Sequence, residues 1–365
     1  MKIVLKNLPQ IICIGVKSAV VAFSAWFVLS VSAHAAPSYE ARILHEKDWQ
    51  VVCDNSNRCV AAGYRAANST SNPVAIIIYR DAGPGRRPIV SIKTQFDTML
   101  DNDVVVRVGD TEIMSLETDN RVLRPSVFFN DMQLSKEQTD ALLPWLLKAE
   151  QIEVRQNNSK LFISMAGVKE VLLKMDEWQG RLDTPGALAQ RGNKPESSVF
   201  KPATIPALRP LVVVADTKPV DPALAQTILA QIDRKTLDPE CQPQHDKTAK
   251  VHRLTYDKLV LSLTCPKRVY GNMTHNWVTQ DKPVYQPVAI EAKGTYIVIK
   301  GGTFSARGYF RQTTTGRNTD DCYDEESWLF TDKGFELESV WTTGLCRGFA
   351  YGATNFFVYK TNVTN

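Results

Sequence analysis

Beyond residue 35 this 365-residue chain carries four histidines, His45, His245, His252 and His275, scattered over unrelated segments. Histidine is the side chain best placed to move protons near neutral pH, and none of these stands in a pattern that would make it do so. There is no H-E-x-x-H, no G-x-S-x-G, no P-loop and no G-x-G-x-x-G. Cys241 and His245, with Cys265, offer three zinc ligands. The acidic residues Asp320, Asp321, Asp324, Glu325 and Glu326 offer oxygens for calcium, but lack the glycine-centred loop that gives such ligands a geometry, and they read as a solvated loop. Asn276-Trp277 beside His275, and Tyr309-Phe310 after Gly308, have the composition of an aromatic surface and read as core. One pair remains as a ligand candidate. If Cys322 and Cys346 face each other on antiparallel strands, Asp321 lies opposite Arg347, where the two would orient a carboxylate or phosphate. The alternative is a half-exposed ion pair worth about 1 kcal/mol or less. Catalytic residues, metal and cofactor are therefore assigned to none, and the chain leans away from an enzyme.

The cysteines decide the compartment. Lys2, Lys6 and Lys17 flank or precede an apolar run from Ala19 to Val31 that ends in Ala33-His34-Ala35, the pattern of a cleavable export signal. The run falls short of the roughly 20 apolar residues a spanning helix needs, so no transmembrane anchor is expected after cleavage. Removing residues 1–35 takes Cys13 with it and leaves an even set. In an oxidising compartment these read as Cys53 with Cys59, Cys241 with Cys265 and Cys322 with Cys346, which displaces the zinc reading. On the chain-entropy account the first bridge contributes roughly 2 kcal/mol and the others roughly 3.5 each.

The full chain has 43 Lys and Arg against 39 Asp and Glu. Residues 1–35 hold three lysines and no acid, so the remainder is close to neutral, and Arg86-Arg87 and Lys267-Arg268 read as isolated dipeptides. Nucleic acid is thereby excluded as a partner.

The pattern of apolar runs and turn residues predicts an α+β, β-rich fold of two domains, mainly antiparallel and sandwich-like, with a few short helices. After the signal peptide 1–35 come an N-terminal domain 36–184, a proline-rich linker 185–210 and a C-terminal antiparallel domain 211–365 with one leading helix. Seven of the 19 prolines fall between Pro185 and Pro222. Such a stretch is expected to be extended, flexible and poorly packed. Hairpins are expected for Ala75–Tyr79 with Ile89–Ile92, for Val104–Val108 with Thr111–Leu116, and for Trp328–Phe330 with Phe335–Leu337. In a hairpin joining Trp49–Cys53 to Cys59–Gly63, Trp49 falls opposite Gly63, whose missing side chain leaves room for the ring. Strands are also expected at Leu211–Val214, Leu259–Leu263, Val288–Ile290 and Tyr296–Ile299. Ser135 with Gln138 forms a capping box for a helix from Lys136 that Pro144 ends or kinks. Val168, Val171, Leu172, Met175 and Trp178 recur at helical spacing, and Asp221-Pro222 opens a helix bearing Leu224, Ile228, Leu229 and Ile232.

Trp49-Gln50-Val51-Val52-Cys53-Asp54-Asn55 with Cys59, then Gly316-Arg317, Asp321-Cys322, Trp328, Phe335-Glu336-Leu337 and Cys346-Arg347-Gly348, resembles a proteobacterial family of exported proteins described only as a domain of unknown function. Tyr323 stands where many of its members have glycine. The first half is also similar to invasion-associated locus B proteins, through the W-x-V-x-C opening and the Leu161–Gly167 passage. The resemblance implies a Gram-negative periplasm, a β-rich first domain and no known chemistry. Function is read as a non-catalytic binding or interaction module of the cell envelope, with an unidentified periplasmic or envelope protein or ligand as partner and the oligomeric state open. The competing readings are an unrecognised periplasmic hydrolase and a structural or stress-protective envelope protein.

Overall fold

Apolar runs separated by turn residues pair almost in sequence order into a seven-stranded antiparallel sheet. Its strands, side by side, are Arg42–Glu46, Trp49–Cys53, Cys59–Tyr64, Val74–Arg80, Ile89–Phe96, Val127–Gln133 and Arg121–Arg124. These observations come from a computed structural model, which describes residues 40–364 apart from 97–102, 118–120, 125–126, 212–219, 267–271, 291–302, 306–307 and 316–320. The segment expected to be an export signal, with Cys13, the strand expected at Tyr296–Ile299 and most of Leu211–Val214 lie outside the described residues.

The run Ile76-Ile77-Ile78 is wholly buried because both faces of this sheet are covered. Side chains alternate across a strand, so Ile76 and Ile78 join Val51, Ala61 and Val90 on one face, while Ile77 joins Val52, Val60 and Ala62 on the other. The first face packs against a four-stranded sheet built from Val104–Val108, Thr111–Leu116, Gln151–Gln156 and Ser159–Ser164. Helices α1 (Lys136–Leu146) and α2 (Val168–Trp178) complete that core through Leu142, Leu146, Val171, Leu172 and Met175. The Ser135–Gln138 capping box forms as expected; Pro144 falls within the last turn of α1, which ends at Leu146. The second face is closed by Phe349, Ala353, Phe356 and Val358 from the far end of the chain.

The rest is antiparallel β with one leading helix, α3 (Leu224–Leu229). A four-stranded sheet runs through Lys250–Arg253, Lys258–Pro266, Asn272–Gln280 and Val288–Ala289. Leu259, Leu261 and Leu263 of this sheet pack on Ile228 and Leu229 of α3. A five-stranded sheet runs from Thr303–Phe304 through Tyr309–Thr315, Tyr323–Thr331 and Gly334–Thr342 to Phe356–Lys360. Leu254, Val260, Phe310, Trp328 and Phe330 form a core common to these two sheets. The β-rich α+β reading holds, and every hairpin expected within the described residues is present, with Trp49 opposite Gly63 as expected.

The proline-rich segment departs from the expectation of a loose connector. The amides of Leu188 and Ala189 donate to Asp176 Oδ2, at 2.7 and 2.9 Å. Further along, Phe200 donates to the Gln179 carbonyl, Ala203 to that of Ser56, and Pro206 accepts from Asn362. Ala207–Leu208 then pairs in parallel with Asn362–Val363. Proline removes donors, but several of the amides between the prolines reach acceptors elsewhere, on α2, on Gln179 just past it and on Ser56, while others close turns within the segment. The segment turns repeatedly before Phe200, with a 3₁₀ turn at Glu196–Ser198, and is tied to its neighbours at several points. No helix of the described residues is long and apolar enough to cross a membrane.

Candidate functional site

The residues singled out for chemistry are held apart by different elements. His245 Nδ1 accepts from the Gln242 amide, His252 lies against Phe304, and buried His275 stacks on Trp277. Burial holds the His252 imidazole below its usual range, with Lys250 adding to the effect. The three disulfides join the expected partners, so Cys241 and Cys265 are occupied by each other. Cys322 and Cys346 lie just outside paired strands, so the opposed geometry that would place Asp321 against Arg347 does not arise. Instead Arg347 donates to Asp48 Oδ1 at 3.1 Å and to the Lys47 carbonyl, while Asp321 Oδ2 accepts from the Gly348 amide at 2.8 Å. Of the acidic run, Glu325 takes the Trp341 indole N–H at 3.2 Å.

A different set of residues does converge. The strand Val74–Arg80 ends on a buried arginine, and the turn Gly83-Pro84-Gly85 sends the chain back; Gly83 and Gly85 both have positive φ, which glycine accepts without strain. Arg80 donates to the carbonyls of Arg86 (3.2 Å) and Gly186 (2.6 Å), and its Nη1 lies 3.5 Å from Asp176 Oδ1 on α2. Arg181, wholly buried just past the end of α2, donates to the Gly83 carbonyl at 2.7 Å and to Gln179 Oε1 at 2.9 Å. Glu196 Oε1 accepts from the Gly186 amide at 2.7 Å. A side chain on Gly186 would meet that carboxylate, so Glu196 would have to shift away from the amide. Around these groups lies a recess of about 290 Å³, with Arg80, Arg86, Arg87 and Arg191 facing Asp140 and Glu196 across its wall.

Burial, then the like charge of Arg181, pulls Arg80 down to about 10, against the pull of Asp176 and Glu196. It therefore stays cationic at neutral pH. Burial raises Asp176, with the amides of Ala189 and Leu188 and the charge of Arg80 working the other way. Partial burial works to raise Glu196 as well, but the amides of Gly85 and Gly186 prevail and hold it below the usual carboxylate range. The signals in the sequence were Arg80, Arg86 and Arg87 within one short stretch and the glycines between them. Their partners are about a hundred residues downstream, beyond the reach of spacing rules.

Residues 45–361 match a family described as a protein of unknown function, DUF1176. This chain belongs to that family. It is also similar to an uncharacterized protein, YpfG, of Escherichia coli strain K12, at 26% identity over 325 residues, covering 83% of this chain and 87% of that protein. No solved structure matches the chain.

The residues of the Trp49–Asn55 stretch are mostly fasteners between distant segments. The Trp49 ring fills the space over Gly63 and its indole N–H donates to the Ser164 carbonyl at 2.7 Å, joining the two sheets of the first core. Asp54 Oδ1 takes the amides of Ser56 and Arg58, which folds the loop closed by Cys53–Cys59, and its Oδ2 lies 2.6 Å from Lys360 Nζ. Asn55 exchanges hydrogen bonds with the Lys360 backbone in both directions. Gln50 Oε1 accepts from the Leu345 amide at 2.9 Å, and its Nε2 donates to buried Tyr64. The opening motif and the Cys346-Arg347-Gly348 motif thus meet across the molecule.

Proposed function

We propose that this protein is an exported, periplasmic binding module of the cell envelope that holds a ligand or partner rather than turning one over. The observation that carries the reading is the arginine-lined recess at Arg80. Guanidinium groups keep their charge throughout the physiological range and donate hydrogen bonds without exchanging protons, so such a wall is suited to holding a group and poorly suited to acid–base work. The export pattern in residues 1–35 and the three disulfides support an oxidising compartment. The likeness of the first half to invasion-associated locus B proteins favours the same envelope setting. On this reading Asp321 and Arg347 serve as braces: each ties the Cys346–Gly348 loop, the first through an amide and the second to Asp48.

The test is affinity capture with the tagged mature protein in intact periplasm. A ligand or partner retained by the natural protein and released by Arg191→Glu, a change at an exposed rim position, supports binding. Turnover of a cell-wall or lipid substrate by purified protein, abolished by His275→Ala at an unchanged thermal midpoint, would replace this reading with a hydrolase.

A further inference from the structure

The cations of the recess outnumber its anions, and the anions are already engaged. Asp140 pairs with Arg87 and lies 3.4 Å from Lys136 Nζ. Glu196 takes the amides of Gly85 and Gly186 and faces Arg181. Asp176, beneath the recess, takes two amides on one oxygen and presents the other to Arg80. Arg86 and Arg191 are both exposed on the wall of the recess, and neither pairs with a carboxylate among the described residues. Arg191 spends one donor, Nε, on the Ala187 carbonyl, which orients its guanidinium and leaves both terminal nitrogens free among the described residues. Behind them Arg80 is 3% exposed, and its Nη1, like Nη1 of buried Arg181, has no hydrogen-bond acceptor. Arg80 also feels Arg181 and Arg191 as like charges. A cluster of guanidinium groups around a small hollow, under-neutralised by its own carboxylates, has the donor geometry that planar or tetrahedral oxyanions satisfy.

We infer that the recess is an anion site, taking a phosphate or carboxylate group between the guanidinium groups of Arg86 and Arg191 with the Arg80 charge behind them. This deepens the binding reading and rests on it for the identity of the recess. The group belongs either to a small free molecule or to the head of an anionic lipid, and both present the same oxygens. Removing one charge-assisted hydrogen bond in such a site weakens binding by about tenfold or more.

The experiment measures the affinity of the purified mature protein for inorganic phosphate and for citrate by calorimetry in 0.15 M salt, where general surface attraction is largely screened. The same protein is then mixed with vesicles of phosphatidylcholine alone and with phosphatidylglycerol added. The expected result is saturable phosphate or citrate binding that falls about tenfold in Arg191→Gln and in Arg86→Gln, partly recovers in Arg191→Lys, and is unchanged in Lys235→Gln. Both rim positions are exposed, so folding is preserved, and thermal midpoints verify it. Binding to the phosphatidylglycerol vesicles with the same variant dependence assigns the group to a lipid head; binding only in solution assigns it to a free anion. Absence of binding to every probe, or binding equal in all variants, overturns the inference. Capture of a partner that Arg191→Glu releases, together with no response to any anion, overturns the anion assignment while leaving the binding reading in place. Anion binding with no captured partner supports the site and tells against the wider role.

Discussion

Glu196 is the residue in the recess whose charge most directly organises its backbone, since its two oxygens hold the amides of Gly85 and Gly186 in loops from different parts of the chain. Its folded-state value lies below the ordinary 4.5. A depressed carboxylate stabilises the fold fully above the unfolded value and loses that contribution as the pH falls through the folded one. Stability from this group is therefore complete at neutral pH and disappears on acidification below about 4.5. Glu196→Gln should flatten that part of the acid limb in denaturant titrations repeated from pH 7 to pH 3. An unchanged acid limb in the variant would show that the amide contacts do not depend on the charge. None of this was legible in the sequence, where Glu196 sits among prolines and serines with no periodic pattern. Trp49 against Gly63 was legible, because a hairpin closed by Cys53 and Cys59 fixes its own register within a few residues.

At the level of elements, the proline-rich segment is the one whose behaviour its composition misstates. Between Leu182 and Leu208 its amides bond to Asp176, Gln179 and Ser56, and its last residues pair beside Asn362–Val363. Proteases need a length of chain that can leave its hydrogen bonds. Brief trypsin treatment of the folded protein should therefore spare Arg191, Lys194 and Lys201; early cleavage at these sites would mean that the docking is transient. Composition missed the turns before Phe200, and it was silent on docking because the acceptors belong to other elements. The hairpins and the cap at Ser135 were readable for the opposite reason: donor, acceptor and turn all lie within a few residues of one another. The triple isoleucine marked a strand, while the burial of its second face, that of Ile77, depends on Phe349 and Phe356, far along the chain.

For the molecule as a whole, the partition into 36–184 and 211–365 stands as a proposal, and the shared core places a condition on it. The first part has a buried cluster around Ile76 and Leu172, the second has one around Leu261 and another around Trp328, and a further cluster draws on both parts. Calorimetry should accordingly give one dominant unfolding transition, and Phe356→Ala, which empties a fully buried site, should destabilise that whole transition by about 3 kcal/mol or more. Two well-separated transitions, with only the later residues responding to the substitution, would mean that the parts stand independently. The fastening of Asp54 and Asn55 to Lys360 also governs the order in which the chain reaches its final form. A polypeptide is delivered from its N-terminus, so residues 74–80 leave the ribosome well before residues 349–358, which cover one face of their strand. Contacts across such a sequence distance close slowly. Until Phe356 arrives, one apolar face of the central sheet is open to any chaperone or neighbouring chain, and the last twenty residues act as the timer that ends that exposure.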